Sequence, residues 1–251
     1  MFSEYRTQRI EGGVNKRTLN HELTYLKAMF NELARLGHWS RENPVSKVRA
    51  YKIQEAEFSY LTPNEINRLF DSLELSRNPH VGLITEICLS TGARWSEAEG
   101  LTISRVKNES VLYTKTKTGK ARSIPISVAL QKKIYAHHSL YGDGEKIFGS
   151  AFSAFREAIE RAEIILPAGQ LTHVLRHTFA SHFMQSSGNI LILQRILGHQ
   201  NITMTMRYAH LAPDHLEEAT RLNPLANRSG KKVGRLGRKN KKEQAVIPLT
   251  L

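Results

Sequence analysis

The sequence predicts a mainly α-helical protein that carries one small antiparallel β-sheet. Apolar residues return at three- and four-residue steps along most of the chain, the repeat of a helix with one buried face. Only from about 104 to 126 does the pattern shorten to the alternation expected of strands. Capping residues and glycine or proline breaks fall between the helical stretches, at the spacing of separate elements.

Composition narrows the function classes before any motif is read. A chain of 251 residues can bury a real core, enough for one large domain and a smaller one. Apolar residues make up 40%, and no apolar run approaches the roughly 18 residues of a membrane span. The start, MFSEYRTQRIEGG, lacks the apolar centre of a signal peptide. Cys88 is the single cysteine, which excludes an internal disulfide and a cysteine-rich zinc site and fits a reducing cytoplasm. The formal charge of +13 is the footprint of a polyanion partner, most often nucleic acid. A basic surface serving only solubility is the plainer reading.

In chain order, residues 14–37 form the first expected helix. Leu19, Leu23, Leu26, Phe30 and Leu33 make one apolar stripe, with Thr18 as a candidate cap and Gly37 as the stop. Asn43-Pro44 argues against a long helix after it. Residues 51–61 read as a linker. Thr62-Pro63-Asn64-Glu65 is a capping box with proline at the first helical position. The nearly unbroken apolar run 81–90 reads as a central buried helix that Thr91-Gly92 ends. Arg94 follows directly, and a charge there must be paired or used. Glu97 can orient it, and a purely structural Arg94–Glu97 pair is the alternative. Residues 110–114 and 121–126 read as strands joined by a basic turn holding Lys115, Lys117 and Lys120. Helices are expected at 127–138 with Ser127 as cap, then at 151–164, 172–186, 190–197, 202–209 and 212–221. After Pro224 the composition shifts: residues 228–242 hold eight basic side chains and no acidic one, a polycationic tail.

The chemistry concentrates between Leu171 and Leu211. His173 and Arg176 lie three apart near a helix start and therefore share a face. Gly198 permits a sharp turn that can aim His199 back toward them. Tyr208 supplies a phenol that can act as a covalent nucleophile. Taken singly, each residue also fits a satisfied polar group or a half-buried aromatic; the joint pattern is what carries weight.

Five blocks bring these residues together: TGARWSEAEGL (91–101), TKTGKAR (116–122), HVLRHTFASHF (173–183), LGHQ (197–200) and TMTMRYAHL (203–211). In order, and across residues 62–221, they resemble the tyrosine recombinase family, in particular the integrases of temperate bacteriophages. The resemblance implies a DNA breaking-and-rejoining catalytic domain over 62–223. A partial helical core-binding segment (1–50) and the linker (51–61) precede it, and the basic tail (224–251) follows. It implies that Arg94 and Arg176 grip the scissile phosphate and that Tyr208 is the nucleophile. Lys117 is the matching hairpin lysine, with Lys115 and Lys120 as alternatives. His173 and His199 fill the two further active-site positions, with His173 the nominated base. Glu97 stands where an acidic residue supports the first arginine, and His177 is not a usual catalytic position.

The implied activity is site-specific recombination through a 3′-phosphotyrosyl intermediate, needing no metal, ATP or other cofactor. Implied partners are double-stranded DNA of the attachment-site type, further copies of the chain in a tetrameric synaptic complex, and accessory DNA-bending or directionality proteins. The implied location is the cytoplasm of a bacterial host. The tail either holds DNA, which its charge favours, or crosses to a neighbouring protomer. Related integrases carry a fuller amino-terminal region, so a truncated integrase that binds DNA without completing exchange is the competing reading.

Overall fold

The computed structural model describes residues 2–53, 58–114, 121–213 and 223–224. The chain divides into two compact units, Met1–Glu57 and Phe58–Leu251.

The first unit is built on two helices, α1 (Phe2–Glu11) and α2 (Lys16–Arg35). The amphipathic stripe expected over 14–37 is α2, but its cap is Asn15 rather than Thr18. The Asn15 side chain accepts the Arg17 backbone N–H at 2.8 Å. Of the stripe, Leu19 and Leu23 are buried, together with Val45 beyond the helix. No apolar periodicity announces α1, because polar contacts hold it. Arg6, 6% exposed, donates to the Arg49 carbonyl at 2.9 Å and lies 3.7 Å from the Tyr51 ring centre. Arg9 pairs with Glu22 at 2.8 Å.

The second unit begins with α3 (Pro63–Glu74), whose capping box forms as its sequence requires: Glu65 accepts the Thr62 N–H at 2.8 Å. Then come α4 (Val81–Thr91) and the short α5 (Trp95–Glu99). Three strands follow, β1 (Val106–Lys107), β2 (Ser110–Tyr113) and β3 (Arg122–Pro125), paired antiparallel in that order. Val111 faces Val106 on one side and Ile124 on the other. The two-residue β1 was too short to read from alternation. Its link to β2 is a two-residue turn in which Asn108 (φ 51°) and Glu109 (φ 54°) both take left-handed conformations. The basic turn with Lys115, Lys117 and Lys120 lies outside the described residues.

Helices α6 (Val128–Tyr141), α7 (Phe152–Arg161), α8 (His173–Ser187) and α9 (Ile190–Leu197) complete the scaffold. Ser127 caps α6 by accepting the Leu130 N–H at 3.1 Å. The helix expected over 202–209 is shorter: α10 (Thr203–Met206) ends before Tyr208, and a 3₁₀ turn (Ala209–Leu211) follows. The helix expected over 212–221 falls mostly outside the described residues.

Helix α4 is central, with Ile84, Ile87 and Cys88 fully buried, and α8 packs against it. One apolar core joins α4 to the sheet, α6, α7 and the start of α8 through residues such as Ile134, Phe155 and Leu175. A second, smaller core gathers Ala180, Met184, Leu193, Leu197 and Tyr208. Among the described residues no helix is long and apolar enough to cross a membrane. The result is the mainly helical fold with a small antiparallel sheet that periodicity predicts.

Candidate active site

Helix α4 ends on Gly92, whose φ of 65° is a left-handed conformation that a side chain would strain. The turn brings Arg94 to the mouth of α5. Its backbone N–H donates to Glu97 Oε2 at 2.9 Å, and its guanidinium donates to Glu97 Oε1 at 3.2 Å. Glu97 has a second and tighter partner in Arg122 of β3. That guanidinium grips the carboxylate with two bonds of 3.1 and 2.6 Å, both side chains being 7% exposed. Burial alone would raise the Glu97 carboxyl, but the Arg122 hydrogen bond, the Arg94 N–H and both positive charges hold it below the usual carboxylate range.

Arg122 is the residue that motif reading passed over. The strand pattern carried a signal, since alternation along Arg122-Ser123-Ile124 turns Arg122 inward with Ile124. An inward charge on a strand needs a buried partner.

Arg176, on the first turn of α8, is 6% exposed. It donates to the carbonyls of Gly92 (2.7 Å) and Leu197 (2.6 Å), the last residues before two turning points of the chain. Two of its five N–H donors are thus spent on positioning. Burial, followed by the charges of Arg94 and Arg122, pushes its pKa down to about 9. The guanidinium stays charged at neutral pH and sits where an incoming anion would relieve repulsion between cations.

His173, one helical turn before Arg176, is exposed at the start of α8. Partial burial of its ring and the charges of Arg176 and Arg94 lower its pKa. Helix α9 ends on Gly198, with φ 68°, and this turn delivers His199. His199 Nδ1 lies 2.9 Å from the Thr205 hydroxyl. Burial and the charges of Arg176 and Arg94 push His199 down to about 4, so it is neutral at pH 7. In the tautomer in which the Thr205 hydroxyl donates to Nδ1, the ring proton is on Nε2 and free to be donated outward. A cleft of about 470 Å³ opens beside it, with Arg122, Ser123, Gln194 and His199 among its lining residues.

The fold therefore brings Arg94, His173, Arg176 and His199 into electrostatic reach of one another from three separated segments. Lys117 lies outside the described residues. Tyr208 is near Arg176 but 2% exposed, and burial raises its pKa. Its hydroxyl lies 2.7 Å from Nδ1 of His177, a residue the motifs leave without a catalytic part, and not on His173. The i, i+4 spacing of His173 and His177 hinted that both could face the site.

The fold and these residues define a class: a mainly helical domain that gathers two arginines and two histidines, with a buried tyrosine beside them. Similarity gives the family. The phage integrase family matches residues 59–215, and the phage integrase amino-terminal domain matches residues 1–52. The integrase of Escherichia phage 186 is 50% identical over 237 residues, covering 90% of this chain and 69% of that protein. The solved catalytic domain of bacteriophage HP1 integrase superposes with a TM-score of 0.63 at 53% identity, covering 68% of this chain and 98% of that one. A lambda integrase dimer bound to a core site shares the fold, with a TM-score of 0.67 at 20% identity over 83% of this chain and 78% of that one. The chain belongs to the phage integrase family, and it is a tyrosine-type site-specific recombinase.

Proposed function

We propose that this recombinase breaks and rejoins attachment-type double-stranded DNA through a covalent 3′-phosphotyrosyl intermediate. The observation that carries the reading is that Arg94 and Arg176 both lie within electrostatic reach of His173 and of His199. Negative charge grows on the non-bridging oxygens of the scissile phosphate as the tyrosine oxygen approaches. Arg94 and Arg176 hydrogen-bond those oxygens with planar, permanently charged donors, and the neutral His199 donates from Nε2. Glu97 holds Arg94 from behind, and Arg122 holds Glu97.

Tyr208, whose reference pKa is about 10, loses its proton to His173 as its oxygen bonds to phosphorus. The bond to the 5′ oxygen breaks, and Lys117 protonates that leaving group. The phosphotyrosyl bond keeps the energy of the broken diester, so attack by another strand's 5′ hydroxyl reverses the step without ATP or metal. Two rounds of exchange pass through a four-way junction and require four protomers. Residues 1–50 serve as part of the clamp on DNA, and accessory DNA-bending or directionality proteins set which reaction runs. The whole process takes place in the cytoplasm of a bacterial host.

A covalent-trapping assay tests this. Protein is mixed with nicked attachment-region DNA without metal or ATP and run on a denaturing gel beside Tyr208→Phe. The expected result is an adduct with the wild type and none with the variant, while DNA affinity stays close to wild type. An adduct that persists in Tyr208→Phe moves the nucleophile elsewhere. Binding with no adduct from either protein supports a DNA-binding module without strand exchange.

A further inference from the structure

Tyr208 cannot attack DNA from where it stands. A phenol that is 2% exposed presents no oxygen to a phosphate on a duplex surface, so the side chain must leave its seat before reacting. Beyond the small core it shares with Ala180, Met184, Leu193 and Leu197, two contacts hold it. The hydroxyl lies 2.7 Å from His177 Nδ1. The ring packs edge-on against Phe58, with centroids 4.9 Å apart, and Phe58 in turn stacks on His177 at 5.2 Å with 23° between planes.

We propose that His177 and Phe58 are positioning residues that hold the nucleophile guarded, and that displacement of Phe58 releases it. The inference rests on Tyr208 being the nucleophile. His177 is neutral at pH 7, with its pKa pushed to about 4 by burial and by the neighbouring His173, Arg207 and Arg176. With its proton on Nε2, it accepts the hydrogen bond that the phenol donates, and the phenol stays protonated. Phe58 contacts both partners, edge-on against the Tyr208 ring and stacked on His177. It is the first residue of the catalytic unit, joined in the chain to residues 54–57 and through them to the amino-terminal unit. Tyr208 itself sits between the four-residue α10 and a three-residue 3₁₀ turn, elements with little hydrogen-bond ladder to resist a shift. The long α8 that carries His177 stays in place.

The test reads the ring itself, without DNA. The full chain is treated with a tyrosine-nitrating reagent, and modification is followed peptide by peptide by mass spectrometry. Tyr25 (71% exposed) and Tyr141 (51% exposed) report the unprotected rate, and Tyr113 (3% exposed), within the sheet, reports global unfolding. In the wild type, Tyr208 is expected to react far more slowly than Tyr25. Phe58→Ala and His177→Leu are each expected to speed Tyr208 nitration by about tenfold, the scale of one lost hydrogen bond or ring contact. Tyr113 should stay protected in both. His177→Asn, which replaces the Nδ1 acceptor with an amide oxygen, should restore protection.

Wild-type Tyr208 reacting as fast as Tyr25 overturns the proposal, as does continued protection in both variants. Joint exposure of Tyr113 and Tyr208 in Phe58→Ala marks an unfolded variant, and the His177→Leu and His177→Asn pair then decides. Because nitration needs no strand cleavage, this result is separate from the trapping assay. Failure there with protection here would leave a guarded tyrosine that is not the nucleophile.

Discussion

One carboxylate sets where two arginines stand. Glu97 is held by Arg122 through two bonds and offers its remaining capacity to Arg94, so the more exposed arginine rests on a buried pair. Such a pair gives position more than stability, since desolvation offsets much of the attraction. Thr205 does the same for His199. It is fully buried, and its hydroxyl is the partner of the imidazole Nδ1. Thr205→Val keeps the shape but leaves that nitrogen unpaired and frees the ring to take the wrong tautomer. The variant is expected to slow adduct formation by about tenfold, the effect of one unsatisfied buried polar group, with DNA affinity unchanged. Thr205→Ser should recover most of the rate. Single-turnover trapping of the three proteins measures it, and failure of serine to rescue would make Thr205 a packing residue only.

At the scale of elements, three of the described helices end on left-handed glycines, and the ends of α4 and α9 are tied to one side chain. Arg176 donates to the carbonyl of Gly92, the turn residue that ends α4, and to that of Leu197, the last residue of α9. The two turns present Arg94 and His199, so Arg176 braces the site it serves. Gly92 is the more constrained of the two. A Cβ there would stand 2.6 Å from Cδ1 of Phe179 and 3.0 Å from Cδ2 of Leu197, on a backbone with φ 65°. Gly92→Ala is expected to destabilise the fold by roughly 2 to 4 kcal/mol, combining left-handed strain with overpacking. It should also slow cleavage under conditions where the protein remains folded, because the Gly92 carbonyl orients Arg176. Urea unfolding followed by trapping at low temperature separates the two effects. An unchanged unfolding midpoint would refute the packing argument.

Across the whole molecule, charge is the dominant fact. An excess of 13 positive charges in 251 residues favours a polyanion at every approach, and eight of the basic side chains crowd into 228–242. Binding through phosphate contacts weakens with salt in proportion to the contacts made, by roughly 0.9 in log–log slope for each one. Deleting 228–242 should therefore weaken DNA binding and flatten its salt dependence by several such contacts. Titrations at a series of salt concentrations measure the slope, and an unchanged slope would mean that the tail does not touch phosphate.

Much of this protein is legible in its sequence. Helices α2, α3, α4, α6 and α9 follow from apolar spacing and caps, because those signals act within one turn of the chain. The five motif blocks identified the family, because the residue types that stabilise a phosphoryl transfer are few. Helix α1 and strand β1 were not legible, the first because arginine contacts from distant residues hold it, the second because two residues make no pattern. The site divides in the same way. Residue types and their order along the chain are local properties, so the sequence by itself determined which side chains are available: Arg94, His173, Arg176, His199 and Tyr208. Their partners lie on other elements of the fold, and only the tertiary structure decided those. Glu97 is shared with Arg122 from β3, Thr205 pairs with His199, and the Tyr208 phenol rests on His177 beneath Phe58. Hydrogen bonds and burial are properties of packed surfaces, and a linear pattern records them only where both partners lie on one element.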